Sequence, residues 1–337
     1  MFSNKGRSCQ GRLIALVAAT LMLAISPAAK ADGLGDFYKG KIVTLYVGYN
    51  PGGINDTYAR LLERHLPRHL AGSPTVVSKN MPGAGSMVLA NYLANVAPKD
   101  ATVFGAIQDS AAWEPLSNAN AKYDGRKFNW LGSLDILPLV CFSMEPSPVK
   151  TLSDAKSHEL LLSGSNGLSW DNTSAVLANH YIGTKFKLIA GYQGATSFLA
   201  LERGEVGGRC YTWTGLKVLK PDWIAQNKLN YIVQVALISH PDLVKVPLIG
   251  DFVTDPTEKQ ELRYLLGGME MGRPFALPPG VPSDRVAHFR QAFAAAAADP
   301  AFLAEAEKLN IEILPVTGER IDAIVNDIYQ MPAAIIK

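Results

Sequence analysis

The sequence has few cysteines, no run of basic residues and no long apolar segment after its first 31 residues. Without a basic run the chain lacks the electrostatic footprint of a nucleic-acid binder. Without a later apolar segment it offers no membrane-spanning helix beyond residue 31. Cys9 lies near the N-terminus without a lipoprotein context. Cys141 and Cys210 are interpreted as two small buried thiols, although an oxidising compartment leaves a disulfide open.

Motifs for metals, cofactors and nucleophilic catalysis are also missing. The six histidines show no metal-ligand spacing, and Pro67 interrupts the one i, i+4 pair, His65 and His69. Val88 stands where the last glycine of a dinucleotide-binding Gly-x-Gly-x-x-Gly would be. There is no phosphate loop and no Gly-x-Ser-x-Gly elbow. We therefore predict no metal, no cofactor and no enzyme activity.

Residues 1–31 have the organisation of a secretory signal peptide. A basic start is followed by an apolar run at 13–25 that is short for a bilayer, and then by Ala29-Lys30-Ala31. We predict cleavage before Asp32 and a secreted mature chain. Since the removed segment carries four positive residues and no acids, the formal net charge changes from +2 to −2. The mature chain is nearly neutral.

What the sequence does contain is a repeated strand–turn–helix pattern. Residues 42–47 are rich in β-branched and aromatic residues, Pro51-Gly52-Gly53 stops the strand, and a helix capped by Asn55 or Asp56 follows. The pattern recurs at 75–96, where Ser86 is the expected cap, at 102–110, at 159–181 and at 186–203. Such repeats predict open α/β sheets whose ligands collect at the carboxyl ends of parallel strands.

Two proline-rich segments, 146–148 and 273–279, are interpreted as crossings between two α/β lobes. This predicts a first lobe of residues 32–143 plus 271–337 and a second of residues 144–270. Hinges are expected near 141–144 and 275–277. A cleft between the lobes follows from this organisation.

Four glycine and proline motifs occur in a distinctive order. They are Asn50-Pro51-Gly52-Gly53-x-x-Asp56, Asn80-x-Pro82-Gly83-Ala84-Gly85, Gly191-Tyr192-Gln193-Gly194-Ala195 and Pro278-Pro279-Gly280-Val281-Pro282. In order and spacing the chain resembles the extracytoplasmic receptors of tripartite tricarboxylate transporters, the Bug or TctC-like family. The resemblance covers essentially the whole chain after residue 31.

The resemblance implies a two-lobe, Venus-flytrap periplasmic-binding-protein fold that closes on a small organic carboxylate. Backbone amides and waters of one loop from each lobe would hold that carboxylate. The candidate residues of the first lobe are Tyr49, Asn50, Gly52, Gly53, Asn55, Asp56, Gly85, Ser86, Gln108 and Asp109. Those of the second lobe are Ser163, Ser165, Asn166, Gly167, Ser169, Tyr192 and Gly194, to which we add Trp170 and Arg209 from their own chemistry.

Some roles stay open at this point. Asp56 is favoured as a helix cap or loop brace over a ligand contact. Trp170 is either a wall of the cleft or part of the core. Arg209 either grips a second carboxylate or, the favoured interpretation, is solvated at a strand end. It stands near the place where the family has a Gly-x-Val-Asp segment, and this departure bears on ligand identity.

The expected function is a monomeric periplasmic receptor that delivers a carboxylate to a membrane permease. An alternative is a receptor that presents its ligand to a membrane sensor kinase. A third, less favoured hypothesis is a secreted hydrolase or isomerase using Asp56, Asp109 or Asp171, against which stands the lack of a nucleophile–base pattern.

Overall fold

The computed structural model of the chain describes residues 1–2, 33–164, 169–192 and 195–332. Its strands are β1 (Ile42–Val47), β2 (Thr75–Asn80), β3 (Val103–Ala106), β4 (Asn129–Ser133), β5 (Leu139–Met144), β6 (Leu160–Ser163), β7 (Phe186–Ile189), β8 (Gly208–Thr212), β9 (Leu229–Val235), β10 (Pro274–Leu277) and β11 (Val316–Thr317). None of the helices in this described part has the length and apolar character needed to cross a membrane. The predicted signal peptide lies almost wholly outside it.

Helices connect most of these strands. They are α1 (Leu34–Tyr38), α2 (Ile54–His65), α3 (Met87–Asn95), α4 (Leu152–Ser157), α5 (Trp170–Ile182), α6 (Ala195–Glu202), α7 (Trp213–Leu219), α8 (Pro221–Ala225), α9 (Pro256–Met271), α10 (Ser283–Ala297), α11 (Pro300–Lys308) and α12 (Gly318–Tyr329). The strand–turn–helix units predicted from the sequence are thus present in both halves of the chain.

The strands form two sheets. Sheet A has the order β11-β4-β10-β3-β1-β2, with β1 parallel to β2 and β3, and with β10 antiparallel to β3 and β4. Sheet B has the order β7-β6-β8-β5-β9, with β6 parallel to β7 and β8, and with β5 antiparallel to β8 and β9. The predicted two-lobe α/β architecture is confirmed.

Each of these mixed sheets is covered by helices on both faces, as is common in α/β proteins. In lobe 1, α2, α10 and α11 pack on one face of sheet A, and α3 and α12 on the other. In lobe 2, α5 and α9 pack on one face of sheet B, while α6, α7 and α8 cover the other. Each lobe therefore has its own core.

The crossings lie earlier in the chain than predicted. Strand β5 pairs with β8 and β9, so 139–144 belongs to lobe 2 and not to lobe 1. The first crossing is the segment 134–138, and residues 146–148 form a turn within lobe 2. The second crossing is Gly272-Arg273, between α9 and β10. The hinges expected at 141–144 and 275–277 are therefore placed wrongly, because both segments are internal strands of a sheet.

The carboxyl ends of the parallel strands in both sheets lie on the side of the crossings. In sheet A the first crossing leaves directly after β4, which runs in the same direction as β3 because both are antiparallel to β10. In sheet B, Leu139 at the start of β5 is paired with Thr212 at the end of β8. The strand-to-helix loops of both lobes therefore lie on the side of the sheets where the two crossings join them.

Cys141 and Cys210 are joined by a disulfide, and the interpretation as free thiols is wrong. The two residues are directly opposite on the antiparallel strands β5 and β8. Both are buried in the core of lobe 2. The bond joins positions 69 residues apart, which the cysteine count alone did not predict.

Candidate functional site

The first loop of lobe 1, between β1 and α2, is braced by Asp56. The carboxylate of Asp56 accepts hydrogen bonds from the Gly52 amide at 2.9 Å, from Asn80 Nδ2 at 2.8 Å and from Arg60 Nε at 2.9 Å. Burial acts to raise its pKa, but these bonds outweigh burial, and the pKa of Asp56 lies below its usual value. Asp56 thus supports the loop, and the Gly52 amide is engaged inside it.

The helix after this loop is not capped as predicted. Its N-cap position is Gly53, and Asp56 lies in its first turn. Asn50, Gly52 and Gly53 are exposed, whereas Asn55 is half-buried. The backbone of this loop is therefore exposed, and Asp56 holds it in one conformation.

Two further loops of lobe 1 meet the first. Ser86 precedes α3, but its hydroxyl donates to the Gly48 carbonyl oxygen at 2.9 Å and does not cap the helix. A Cβ on Gly85 would lie 3.5 Å from Gln108 Oε1, so this glycine and Gln108 are neighbours. The candidate residues at the ends of β1, β2 and β3 are thus brought together.

A buried charged cluster that the sequence analysis missed forms the floor beneath these loops. Arg273 pairs with Asp135, and its guanidinium lies 4.6 Å from the ring of Tyr58. The Tyr58 hydroxyl donates to Asp135 Oδ2 at 3.2 Å. Burial raises the pKa of Asp135 to about 6, against the effect of Arg273. Arg273 directly precedes β10. Its position beside a predicted crossing was the one feature of the sequence that could have identified it as a site residue.

Asp109 adjoins this floor at the end of β3. Its side chain lies against α9, since a Cβ on Gly268 would come within 2.0 Å of Asp109 Oδ2. Burial raises the pKa of Asp109 to about 6, although backbone amides and Arg273 act in the opposite direction. Burial also raises the pKa of Tyr49, with Asp109 adding to that effect. These groups are electrostatically linked.

Replacing Asp109 by asparagine is expected to stabilise the protein at pH 8 and to have little effect at pH 4. An aspartate whose native pKa is raised from 3.8 to about 6 contributes stability fully below pH ~3.8, and this is lost as pH rises through about 6. The gain at pH 8 is at most about 3 kcal/mol, since one pKa unit is about 1.4 kcal/mol.

Thermal unfolding from pH 4 to pH 8 checks this expectation. Exposed Asp36 provides the control, as D36N. Because the pKa of Asp135 is also raised, the stability of both variants still decreases as pH rises. If D109N and D36N showed the same pH profile, the buried carboxyl of Asp109 would not be the source of the effect.

In lobe 2, Arg209 is buried and not solvated, so the favoured interpretation is wrong. Its side chain donates to Ser197 Oγ at 2.5 Å and to Asp171 Oδ2 at 3.0 Å. The guanidinium lies 4.2 Å from the ring of Tyr211 and 5.0 Å from that of Phe198. Arg209 therefore joins the first turns of α5 and α6.

The other lobe 2 candidates differ in what they contact. Ser169 caps α5 by accepting from the Asn172 amide at 3.4 Å. Trp170 is 37% exposed, which excludes the core interpretation. Tyr192 donates its hydroxyl to Glu205 at 3.0 Å, and its amide donates to the Gly164 carbonyl at 3.0 Å. Four further candidates lie outside the described residues: Ser165, Asn166, Gly167 and Gly194.

A polar cluster bridges the lobes beside the cleft. Glu312 of lobe 1 pairs with Lys217 at 2.8 Å and with His240 Nε2 at 3.2 Å. Potential metal-ligand atoms of His240, Asp242 and Glu312 lie within 4.8 Å of one another. However, Lys217 Nζ is also 2.9 Å from Asp242, so its ammonium already supplies a cation here.

A cavity of about 1080 Å³ lies elsewhere, at the outer end of lobe 2. Met144, Glu159 and Lys228 line it, and they stand at the ends of their strands away from the crossings. It is therefore separate from the loops described above.

Comparisons with known proteins agree with this architecture. No family model matches the chain, and no curated protein does. Among solved structures, a TctC solute binding protein from Polaromonas without ligand gives a TM-score of 0.70 at 19% identity, covering 89% of this chain and 99% of that one. The periplasmic binding protein BugD gives 0.55 at 20% identity, covering 87% and 96%.

MatC from Rhodopseudomonas palustris, with bound malate, gives a TM-score of 0.56 at 19% identity, covering 88% of this chain and 99% of that one. These proteins match from end to end, over both lobes. At such identities the likeness concerns the fold. The chain has the two-lobe fold of the TctC- and Bug-type periplasmic solute-binding proteins.

Proposed function

We propose that this protein is a periplasmic receptor that captures a small organic carboxylate between its lobes and delivers it to a membrane permease of the tripartite tricarboxylate type. The observation that carries the proposal is that the carboxyl ends of the parallel strands in both sheets lie on the side of the two crossings. In open α/β sheets ligands bind at such edges. The malate bound to MatC supports a carboxylate.

The ligand would be held mainly by backbone N–H groups at helix starts. The loop before α2 is exposed at Asn50, Gly52 and Gly53 and is held in shape by Asp56; because the Gly52 amide donates to Asp56, the Gly53 amide is the candidate donor to the ligand. Amides at a helix N-terminus stabilise an anion without a buried counter-charge that must be desolvated. The matching loops of lobe 2 precede α5 and α6.

Capture would occur by lobe closure about the two crossings, 134–138 and Gly272-Arg273. A ligand that contacts both lobes favours the closed form, because its binding free energy is larger there. Both lobes belong to one chain, so one molecule contains the whole cleft. We therefore propose a monomer as the working unit.

The test is thermal unfolding of the chain from residue 32 with malate, adipate or benzoate, and with the corresponding methyl esters. An acid present at 100 times its dissociation constant adds about 2.7 kcal/mol of stability. For a chain of this size this is a rise in Tm of at least a few degrees. The expected result is a shift with at least one acid and none with its ester. Equal shifts with acid and ester, or no shift with any acid, would contradict carboxylate recognition.

A further inference from the structure

Among the buried hydrogen-bonding groups of lobe 2 that lack a partner in the described part of the chain, two belong to neighbouring strands. Ser163 is 1% exposed and Arg209 is 3% exposed. Neither Ser163 Oγ nor Arg209 Nε has a hydrogen-bond partner among the residues that the structure describes. Buried polar groups are nearly always paired, and an unpaired one costs about 1–3 kcal/mol. The occurrence of two such unpaired groups at one place indicates that they bind a group from outside the chain.

The two residues lie side by side on neighbouring strands. Leu162 of β6 is in register with Gly208 of β8, so the next residues, Ser163 and Arg209, are level with each other. Neighbouring strands are about 4.8 Å apart. Leu162 and Cys210 belong to the core on one face of sheet B, and alternation turns Ser163 and Arg209 to the other face. Ser163 is the last residue of β6, and Arg209 near the start of β8 contacts the first turns of α5 and α6.

The remaining contacts of Arg209 fix its orientation. Nη1 and Nη2 are taken by Ser197 and Asp171, and two aromatic rings flank the guanidinium. Asp171 is the acidic group in contact, and its bond to Nη2 neutralises much of the charge. Both partners lie in first helical turns, where the helix dipole is positive. The Nε–H group has no partner in the described part of the chain.

We propose that Ser163 and Arg209 form a side-chain anion subsite in lobe 2, which holds one oxygen of the ligand's carboxylate. An arginine Nε–H group only donates, and a serine hydroxyl can donate alongside it, so the occupant must be an acceptor. A charged acceptor forms the stronger bond. The subsite rests on the proposed function and adds charged side-chain recognition to the amides of the loops.

The decisive variant is S163A. It removes an unpaired polar atom, so the free protein should keep its Tm or gain slightly. Isothermal titration with the acid among malate, adipate and benzoate that binds the wild type most tightly should show a tenfold or larger loss of affinity. A structural role alone would lower the Tm and leave the affinity unchanged.

Ser174 provides the matched control. It is also buried, its Oγ also lacks a partner among the described residues, and it lies in α5 one turn beyond Asp171. S174A should bind the same acid as tightly as the wild type. If S163A also binds like the wild type, the unpaired groups hold only water and the subsite is refuted, while the receptor function stands. If the wild type binds none of the acids, the receptor proposal fails and the subsite with it.

Discussion

Replacing Cys141 and Cys210 by alanine together is expected to lower the free energy of unfolding by about 4 kcal/mol. The disulfide closes a loop between two positions that are 69 residues apart in the sequence. In the chain-entropy model a cross-link of that span restricts the unfolded chain by roughly this amount. The two residues are opposite each other on adjacent strands, so the native fold holds them together without rearrangement.

Urea unfolding of the wild type and of C141A/C210A, each with and without a reductant, measures this effect. The reductant should destabilise the wild type to nearly the level of the double variant. It should leave the double variant unchanged, which controls for other effects of the reductant. If the wild type had the same free energy of unfolding with and without the reductant, the disulfide would not restrict the unfolded chain.

Replacing Gly272 by alanine is expected to cost about 3 kcal/mol or more. A Cβ at this position would lie 1.7 Å from the carbonyl oxygen of Asp135, and Gly272 has φ +57°. Asp135 lies in the first crossing and Gly272 in the second. Neither backbone can move without disturbing the Arg273–Asp135 pair. Strain and overlap at such a position place the substitution among the severe ones.

Gly183 separates the two causes. It also has a positive φ, +80°, but a Cβ there would meet nothing within 4 Å. G183A should therefore cost only about 1 kcal/mol, the penalty of a left-handed backbone. Thermal unfolding of both variants gives the comparison. Equal losses would mean that the two crossings are able to separate freely, contrary to the tight contact between them.

Local pattern predicted the fold well because each unit is decided by neighbouring residues. The run 42–47 followed by Pro51-Gly52-Gly53 gives a strand and a turn, and β1 and α2 lie there. The boundary between the lobes was misplaced because the apolar segment 139–144 is suited to an internal strand of either sheet. Only its pairing with β8 and β9 assigns it to lobe 2.

The errors at the site have a common cause, which is contact between residues distant in sequence. Arg209 is buried because Asp171 and Ser197 surround it, and no local pattern shows that pairing. The same holds for Arg273 and Asp135, 138 residues apart. Asp56 was interpreted correctly as a brace because Gly52 and Arg60, two of its partners, are each four residues away.

The place of β10 between β3 and β4 constrains the order in which the chain is able to fold. Lobe 2 is one continuous stretch, so it has all its strands before β10 is reached. Sheet A, in contrast, keeps an open gap between β3 and β4 until β10 arrives. Such long-range pairing slows folding. The first lobe is therefore expected to complete its sheet after the second lobe has all its strands.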